Sequence, residues 1–282
     1  GYIDPRQGVE TCGLVEQMAS DEIMLCMTGD PMWAEHCEEV AFNSYPAAVM
    51  PDFKALRYIT CPNHAISDSK NHHPGIDNRG PFLSMNPFSS RCCQHNHAQG
   101  WPYFTEHLVL ATPDNGVATA IYAACKATVK VGDGKEITLH EETNYPFEEG
   151  IAFTVSTDEK VAFPFYLRIP SWTQKAEVRV NGKKVSAAPV AGKYLCINRE
   201  WANGDRVELT LPMSLSMRTW QVNKNSVSVD YGPLTLSLKI AEKYVEKDSR
   251  ETAIGDSKWQ KGADPQKWPT TEIYPDSPWN YS

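Results

Sequence analysis

No apolar run in this 282-residue chain approaches the ~20 residues that a helix needs to cross a bilayer, so the sequence offers no transmembrane segment. Positive charge is the scarcer sign: 27 Lys and Arg stand against 35 Asp and Glu, for a net charge of −8. A phosphate-binding surface needs the opposite balance, so nucleic acid is not an expected partner. Eight cysteines are too few for a disulfide framework at this length. An initiator methionine is lacking, and the opening Gly1-Tyr2-Ile3-Asp4-Pro5 has neither the charge nor the apolar stretch of a signal peptide. The chain therefore reads as a piece of a longer protein. Internal repeats and low-complexity tracts are also missing. Hydrophobic residues make up 41% and charged residues 22%, enough for a packed core and incompatible with global disorder.

The first third has helical patterning. Residues 10–27 contain no proline, and Thr28-Gly29-Asp30-Pro31 stops that run and starts the next, over 32–43. From 51 to 91, five prolines and two glycines make a long connection, of the kind that usually carries function. A helical pattern returns over 92–110, interrupted near Gly100-Trp101-Pro102. After Gly116 the period changes to two. Strands are predicted within 118–131, 136–141, 151–156, 161–169, 176–180, 194–198, 206–211 and 226–230. Turn signals such as Gly132-Asp133-Gly134, Asn181-Gly182 and Asn203-Gly204 separate them, as in an antiparallel β-sandwich. Three parts follow: a helical part over 1–115, a β-sandwich over 116–240, and over 241–282 an irregular tail or the start of a further β element.

Seven of the eight cysteines precede residue 126. Glu10 and Cys12 open one helix, and Cys92-Cys93 opens another after the long loop. Three thiols and a carboxylate suit a tetrahedral zinc site. Glu10 can still be extended at the helix start, so that it and Cys12 point at one ion. A helix N-terminus also favours thiolate at the vicinal pair. Two plainer readings stand beside this. Cys92 and Cys93 could be free buried thiols, or a strained disulfide across Cα atoms only ~3.8 Å apart. His95-Asn96-His97 lacks the flanking ββα context of a metal nuclease. His72-His73, in a Pro/Gly loop, reads as a solvated or hydrogen-bonded pair. Cys26, Cys37, Cys125 and Cys196 lie in apolar patterns and read as core thiols.

The order Glu-x-Cys, helix pair, Pro-rich loop, Cys-Cys-x-x-Asn resembles glycoside hydrolase family 127, the β-L-arabinofuranosidases and their relatives. Downstream motifs agree in order: Arg168-Ile169-Pro170-Ser171-Trp172, Val180-Asn181-Gly182, Arg199-Glu200-Trp201, Leu211-Pro212-Met213 and Tyr231-Gly232-Pro233-Leu234. The resemblance runs over about residues 5–240. It implies a multidomain α and β chain: the last helices of an (α/α)6 barrel followed by an antiparallel β-sandwich. It implies a retaining glycosidase acting on a plant-polysaccharide sugar, with zinc held by Glu10, Cys12, Cys92 and Cys93 and with Cys92 as nucleophile. Tyr58 and Glu38 match positions the family places near the sugar. Export to the periplasm or the cell exterior is expected on the same ground.

Two departures follow from the same comparison. The family's general acid/base is a glutamate farther upstream of the Glu-x-Cys motif than this sequence extends. The fragment alone is therefore expected to be inactive, and the missing N-terminal part of the protein is an expected partner. Relatives carry Cys-Cys-Pro-Pro-Asn, whereas this chain has Cys92-Cys93-Gln94-His95-Asn96-His97, which points to a divergent branch. His95 and His97 fit substrate contact, support of the metal, or a structural role. Two other functions remain: a non-catalytic carbohydrate-binding β-sandwich with a structural zinc, and an inactive relative whose thiols are core residues.

Overall fold

A computed structural model of the chain describes residues 5–76, 81–88, 91–252 and 264–280. The opening residues 1–4 and the stretch 253–263 of the expected tail lie outside the described residues.

Helix α1 spans Thr11–Thr28 and buries Leu14, Val15, Met18 and Leu25 along one face. Gly29 ends it in the left-handed region (φ 66°), its N–H donating to the Leu25 carbonyl, a position that favours glycine. Asp30 then caps α2 (Pro31–Glu39), its carboxylate accepting from the Met32 N–H at 3.0 Å, with Pro31 in the first turn. The helix predicted over 32–43 differs at its end. Residues Val40–Ser44 widen into a π-turn that leads to the short α3 (Tyr45–Ala47). Asn43 explains the change: its amide donates to the Glu39 and Pro233 carbonyls, both at 2.9 Å, and its Oδ1 accepts from the Thr235 N–H. The third helical run divides where the sequence suggests, into α4 (Arg91–His97) and α5 (Gly100–Glu106).

Strands β1 (Val9–Glu10) and β2 (Ile59–Thr60) pair just ahead of α1. Next come β3 (Val109–Ala111), β4 (Val117–Thr119), β5 (Cys125–Val131), β6 (Lys135–Thr143), β7 (Gly150–Ser156) and β8 (Val161–Ile169). They are followed by β9 (Glu177–Val180), β10 (Lys183–Lys184), β11 (Lys193–Trp201) and β12 (Arg206–Thr210). Six of these strands form one sheet in the order β10-β9-β12-β7-β6-β5, and four form another, β11-β8-β4-β3. Phe153, Val155, Val178 and Leu209 of the first sheet share one buried core with Phe163, Phe165 and Leu167 of the second. The expectation of wholly antiparallel strands needs one correction, because β4 runs parallel to β8, Val117 opposite Phe165. Ahead of β4, the short β3 takes up the antiparallel partnership.

The helices pack into a second core around Met18, Leu25, Cys37, Tyr45, Phe104 and Ile121, and Phe42 touches both cores. Cys37 is a core thiol, as expected, whereas Cys26 and Cys196 are exposed and Cys125 is half-buried.

Beyond β12, strands β13 (Leu215–Trp220), β14 (Ser226–Tyr231) and β15 (Leu234–Leu236) form a three-stranded sheet. Arg218 of this sheet donates to Glu39 at 2.8 Å, while Leu215 and Met217, of opposite parity, stay exposed. Strands β16 (Glu242–Lys247) and β17 (Thr270–Pro275) pair antiparallel. β17 then returns to the Pro-rich connection, bridging Ile273 to Ser67 and Thr271 to Met85. The chain's end therefore braces the loop that precedes α4.

Candidate metal centre

Glu10 is the residue before α1, with extended backbone (φ −71°, ψ 137°), and it pairs with Ile59. The extended conformation places its carboxylate with the thiol of Cys12 two residues on. α4 brings Cys92 and Cys93 from the far side of the Pro-rich connection. One ligand atom from each of Glu10, Cys12, Cys92 and Cys93 lies within 4.8 Å of the other three. The Cys12 and Cys93 sulfurs are 3.1 Å apart. Glu10 Oε1 lies 3.8 Å from the Cys92 sulfur and 3.9 Å from that of Cys93. Cys93 is fully buried, Cys12 half-buried and Cys92 exposed. All eight cysteines are free, so Cys92 and Cys93 do not form a disulfide.

Electrostatics favour a cation here. Burial raises the Cys12 thiol to about 11, against hydrogen bonds from Cys93 and Asn96 that lower it. Burial raises Cys93 as well. Without positive charge these sulfurs keep their protons at neutral pH. Three sulfurs and a carboxylate in this arrangement can bind a metal ion, whose charge would reverse that preference.

Tyr58 belongs to the same cluster. The Thr11 N–H donates to the Tyr58 carbonyl at 2.9 Å, and the Thr11 hydroxyl donates to the Arg57 carbonyl. These bonds fasten the residues before β2 to the start of α1. Burial, with Glu10 as hydrogen-bond partner and the nearby Cys92 and Cys93, raises the Tyr58 phenol well above its ordinary value. Its ring packs on Phe82 with centroids 4.6 Å apart. The structure therefore gathers five of the six residues singled out from the sequence.

Glu38 is the correction. It was expected beside the sugar, but its side chain is fully buried and forms an ion pair with the equally buried Arg168. Glu38 also accepts from the Tyr122 N–H at 3.1 Å and the Tyr145 hydroxyl at 2.8 Å. Both carboxylate oxygens are used within the protein. Asn96, the last residue of the Cys-Cys-x-x-Asn motif, joins the cluster, its side chain hydrogen-bonding the Cys12 sulfur. Its spacing of four from Cys92, one helical turn, was the available signal. A second group, Glu22, Glu106 and His107, also brings ligand atoms within 4.8 Å of one another. There the buried Glu22 already has His107 as a partner at 2.7 Å. His72 meets Asp68 at 2.6 Å, the hydrogen-bonded arrangement expected of it.

Two family models match the chain. The β-L-arabinofuranosidase catalytic domain of glycoside hydrolase family 127 covers residues 1–106, and the middle domain of the same family covers residues 116–213. A solved structure described as a glycoside hydrolase is 28% identical with a TM-score of 0.68, over 84% of this chain and 38% of its own. A family 127 β-L-arabinofuranosidase from Geobacillus stearothermophilus T6 is 23% identical with a TM-score of 0.70, over 87% of this chain and 38% of its own. A further β-arabinofuranosidase of the family is 24% identical with a TM-score of 0.66, over 84% of this chain and 40% of its own. At their identities, the last two speak to the fold alone. No curated protein matches the chain. A helical portion with a sulfur-rich cluster, followed by stacked β-sheets, defines the class as that of these glycoside hydrolases. The chain belongs to glycoside hydrolase family 127 and spans about two fifths of the length of the solved relatives it matches.

Proposed function

We propose that the chain is part of a retaining glycoside hydrolase acting on β-L-arabinofuranoside-like sugars through a zinc-associated cysteine, Cys92. On this reading residues 1–115 are the last helices of an (α/α)6 barrel, 116–240 a β-sandwich, and 241–282 a further β element. The observation that carries the reading is the convergence of three thiols and one carboxylate within 4.8 Å, with only Cys92 among the thiols exposed.

Glu10, Cys12, Cys92 and Cys93 would hold the ion. Zinc, when bound, supplies the charge that keeps sulfur as thiolate and improves it as a leaving group. The Cys92 sulfur bonds to the anomeric carbon as the glycosidic C–O bond breaks. The departing oxygen takes a proton from a carboxylic acid, which the family resemblance puts upstream of Glu10. Water then displaces the sulfur and returns a proton to that carboxylate, so configuration is retained. Tyr58, at the edge of the cluster, contacts the sugar and orients Glu10.

The test combines elemental analysis of this chain with an arabinofuranosidase assay on the longer protein. About one zinc per chain is expected, with most of it lost in Cys12→Ala and Cys93→Ala. Release of L-arabinose from a β-L-arabinofuranoside should disappear in Cys92→Ala. A protein that binds zinc but releases no sugar would overturn the hydrolase reading in favour of a structural metal site. Absence of zinc from metal-replete preparations would overturn the metal assignment.

A further inference from the structure

The sheet of β13, β14 and β15 is amphipathic in the inverted sense. Its antiparallel register sets Met217 opposite Val229 and Val229 opposite Leu236, so these side chains share one face with Leu215 and Val227. Arg218, Ser228, Asp230 and Thr235 take the other face. That polar face is the one held against the helical part. Arg218 pairs with Glu39 at 2.8 Å and with Asp230 at 3.2 Å, and the Thr235 N–H donates to Asn43 at 2.8 Å. The apolar face is left open: Leu215, Met217, Val227, Val229 and Leu236 are all exposed, Met217 by 79%. A sheet wet on one side ordinarily turns its polar residues to water and its apolar ones inward. Apolar side chains held in register on an open sheet mark an interaction surface.

Charge and area select the occupant. Among the described strand residues no charged side chain lies on this face, which leaves an oppositely charged partner nothing to recognise. Two copies of the same uncharged face meet across a twofold axis without burying an unpaired charge. Elsewhere the net charge of −8 drives copies apart, so this face is where they can approach. Its exposed side chains present about 600 Å² of apolar surface per copy, so a pair would bury about 1,200 Å², the lower end of stable interfaces. The sheet also lies beyond residue 213, where the matched middle domain ends, and neither family model assigns it a role. We propose that the chain forms a twofold homodimer in which the apolar faces of β13–β15 pack on each other, a two-layered sandwich shared between two copies. The proposal does not depend on the hydrolase reading.

The experiment measures the mass of the chain in solution by sedimentation velocity and light scattering, from about 1 to about 100 μM, where an interface of this size should show a reversible dimer. Met217→Lys and Leu236→Lys should each weaken the dimer at least about tenfold, because each brings two ammonium groups into the apolar contact. Both residues are exposed in the single chain, so the variants should fold normally, which far-UV circular dichroism checks. Met27→Lys, on the exposed side of α1, should leave the dimer unchanged. Raising the salt to about 1 M should not weaken it, since no charge pair holds it. A monomer throughout the concentration range would overturn the proposal, as would a dimer indifferent to both sheet variants. A dimer lost only in Met27→Lys would place the contact on the helical part, and one dissolved by salt would make it a charge contact; either overturns the apolar face. A dimer that this chain forms but the longer protein does not would give the face to another segment of the same polypeptide, and the second copy would be wrong.

Discussion

Glu38 and Arg168 form an ion pair with both side chains fully buried, joining helix α2 to the end of strand β8. Arg168 begins the Arg168-Ile169-Pro170-Ser171-Trp172 motif, and a second glutamate of α2, Glu35, accepts from the Ser171 N–H at 2.8 Å. Residues 35 and 38 are one helical turn apart, so one face of α2 grips one short segment of the sheet. Arg168 also donates through Nε to the Ala120 carbonyl and lies over the Tyr122 ring at 5.1 Å. The motif that helps identify the family is a clasp between the helical and β parts.

Arg168→Met should therefore be far worse than loss of Glu35. It leaves a carboxylate buried with no cation, which costs about 3–5 kcal/mol. Glu35→Ala removes an exposed contact and should cost less than about 1 kcal/mol. Urea unfolding of the two variants at neutral pH measures the difference. Equal losses would show that the buried pair is not what binds the two parts.

This pair also marks where sequence reasoning stops. Local chemistry was legible: Gly29 as helix stop, Asp30 and Pro31 as helix start, Asn181-Gly182 as a turn, and the two cysteine motifs as one centre. The first three depend on residues a few positions apart; the cysteine motifs, 81 positions apart from Cys12 to Cys93, are joined only by the ligand chemistry they share. Nothing local to α2 shows that Glu38 is buried, because its partner Arg168 arrives from β8. The π-turn at Val40–Ser44 exists because Asn43 reaches Pro233 and Thr235. Strand β13 carries no inward apolar pattern, because Leu215 and Met217 point away from the core, 69% and 79% exposed. The β16–β17 pair is hidden for a different reason: the residues β17 buries, Thr270, Thr271 and Glu272, are polar, so no apolar alternation marks it.

Glu22 should make stability fall as pH rises. Burial outweighs the opposing hydrogen bond from His107 and raises its carboxyl to about 7. The ordinary value is 4.5, so the folded state binds this proton more tightly than the unfolded state does. Its contribution is complete below pH 4.5 and is lost as pH climbs through 7. The stability difference between wild type and Glu22→Gln, measured by denaturant unfolding from pH 4 to pH 8, should move against wild type across that window. A difference independent of pH would remove Glu22 as its source.

Gly100 is fixed by the tyrosine above it. A Cβ there would come within 2.4 Å of the Tyr45 ring, whose hydroxyl donates to the His97 carbonyl at 2.5 Å. Gly100→Ala should displace that ring and cost about 1–3 kcal/mol, despite alanine's better helix propensity. Gly13 meets nothing closer than Val9 at 3.9 Å, so Gly13→Ala in α1 should be neutral or stabilising. Thermal melts of the two variants should move in opposite directions or differ by several degrees.

Removal of metal from the proposed site should loosen the protein at the start of α1 and at α4 together, because the cluster is the point where those helices meet. A chelator is expected to lower the melting temperature by at least a few degrees, and Cys93→Ala should abolish that response. Hydrogen exchange should speed up around Thr11 and Cys93 in the chelated protein, leaving the β8–β11 pair unchanged. Uniform loss of protection across both regions would mean that the metal stabilises the whole fold rather than this junction.

Glu272 sets the docking of the returning tail. Ser69 donates to it through its N–H at 3.1 Å and its hydroxyl at 2.8 Å; Tyr274 donates at 2.9 Å, and Lys247 pairs with it at 3.0 Å. Burial alone would raise this carboxyl, but these partners outweigh it and bring the value down from 4.5 to about 2. The sign is opposite to that of Glu22. The folded state holds the charged form more strongly, so the contribution is full above pH 4.5 and is lost as pH falls toward 2. A shift of that size corresponds to at most about 3 kcal/mol. Glu272→Gln should therefore release strand β17 from Ser69 at neutral pH much as acid does in the wild type. Limited proteolysis between β16 and β17 reads this directly: cleavage should accelerate in wild type below pH 4 and already be fast at pH 7 in the variant. If the variant resists cleavage at pH 7 as wild type does, the tail is held by the Thr271–Met85 and Ile273–Ser67 backbone bridges, and Glu272 only decorates them.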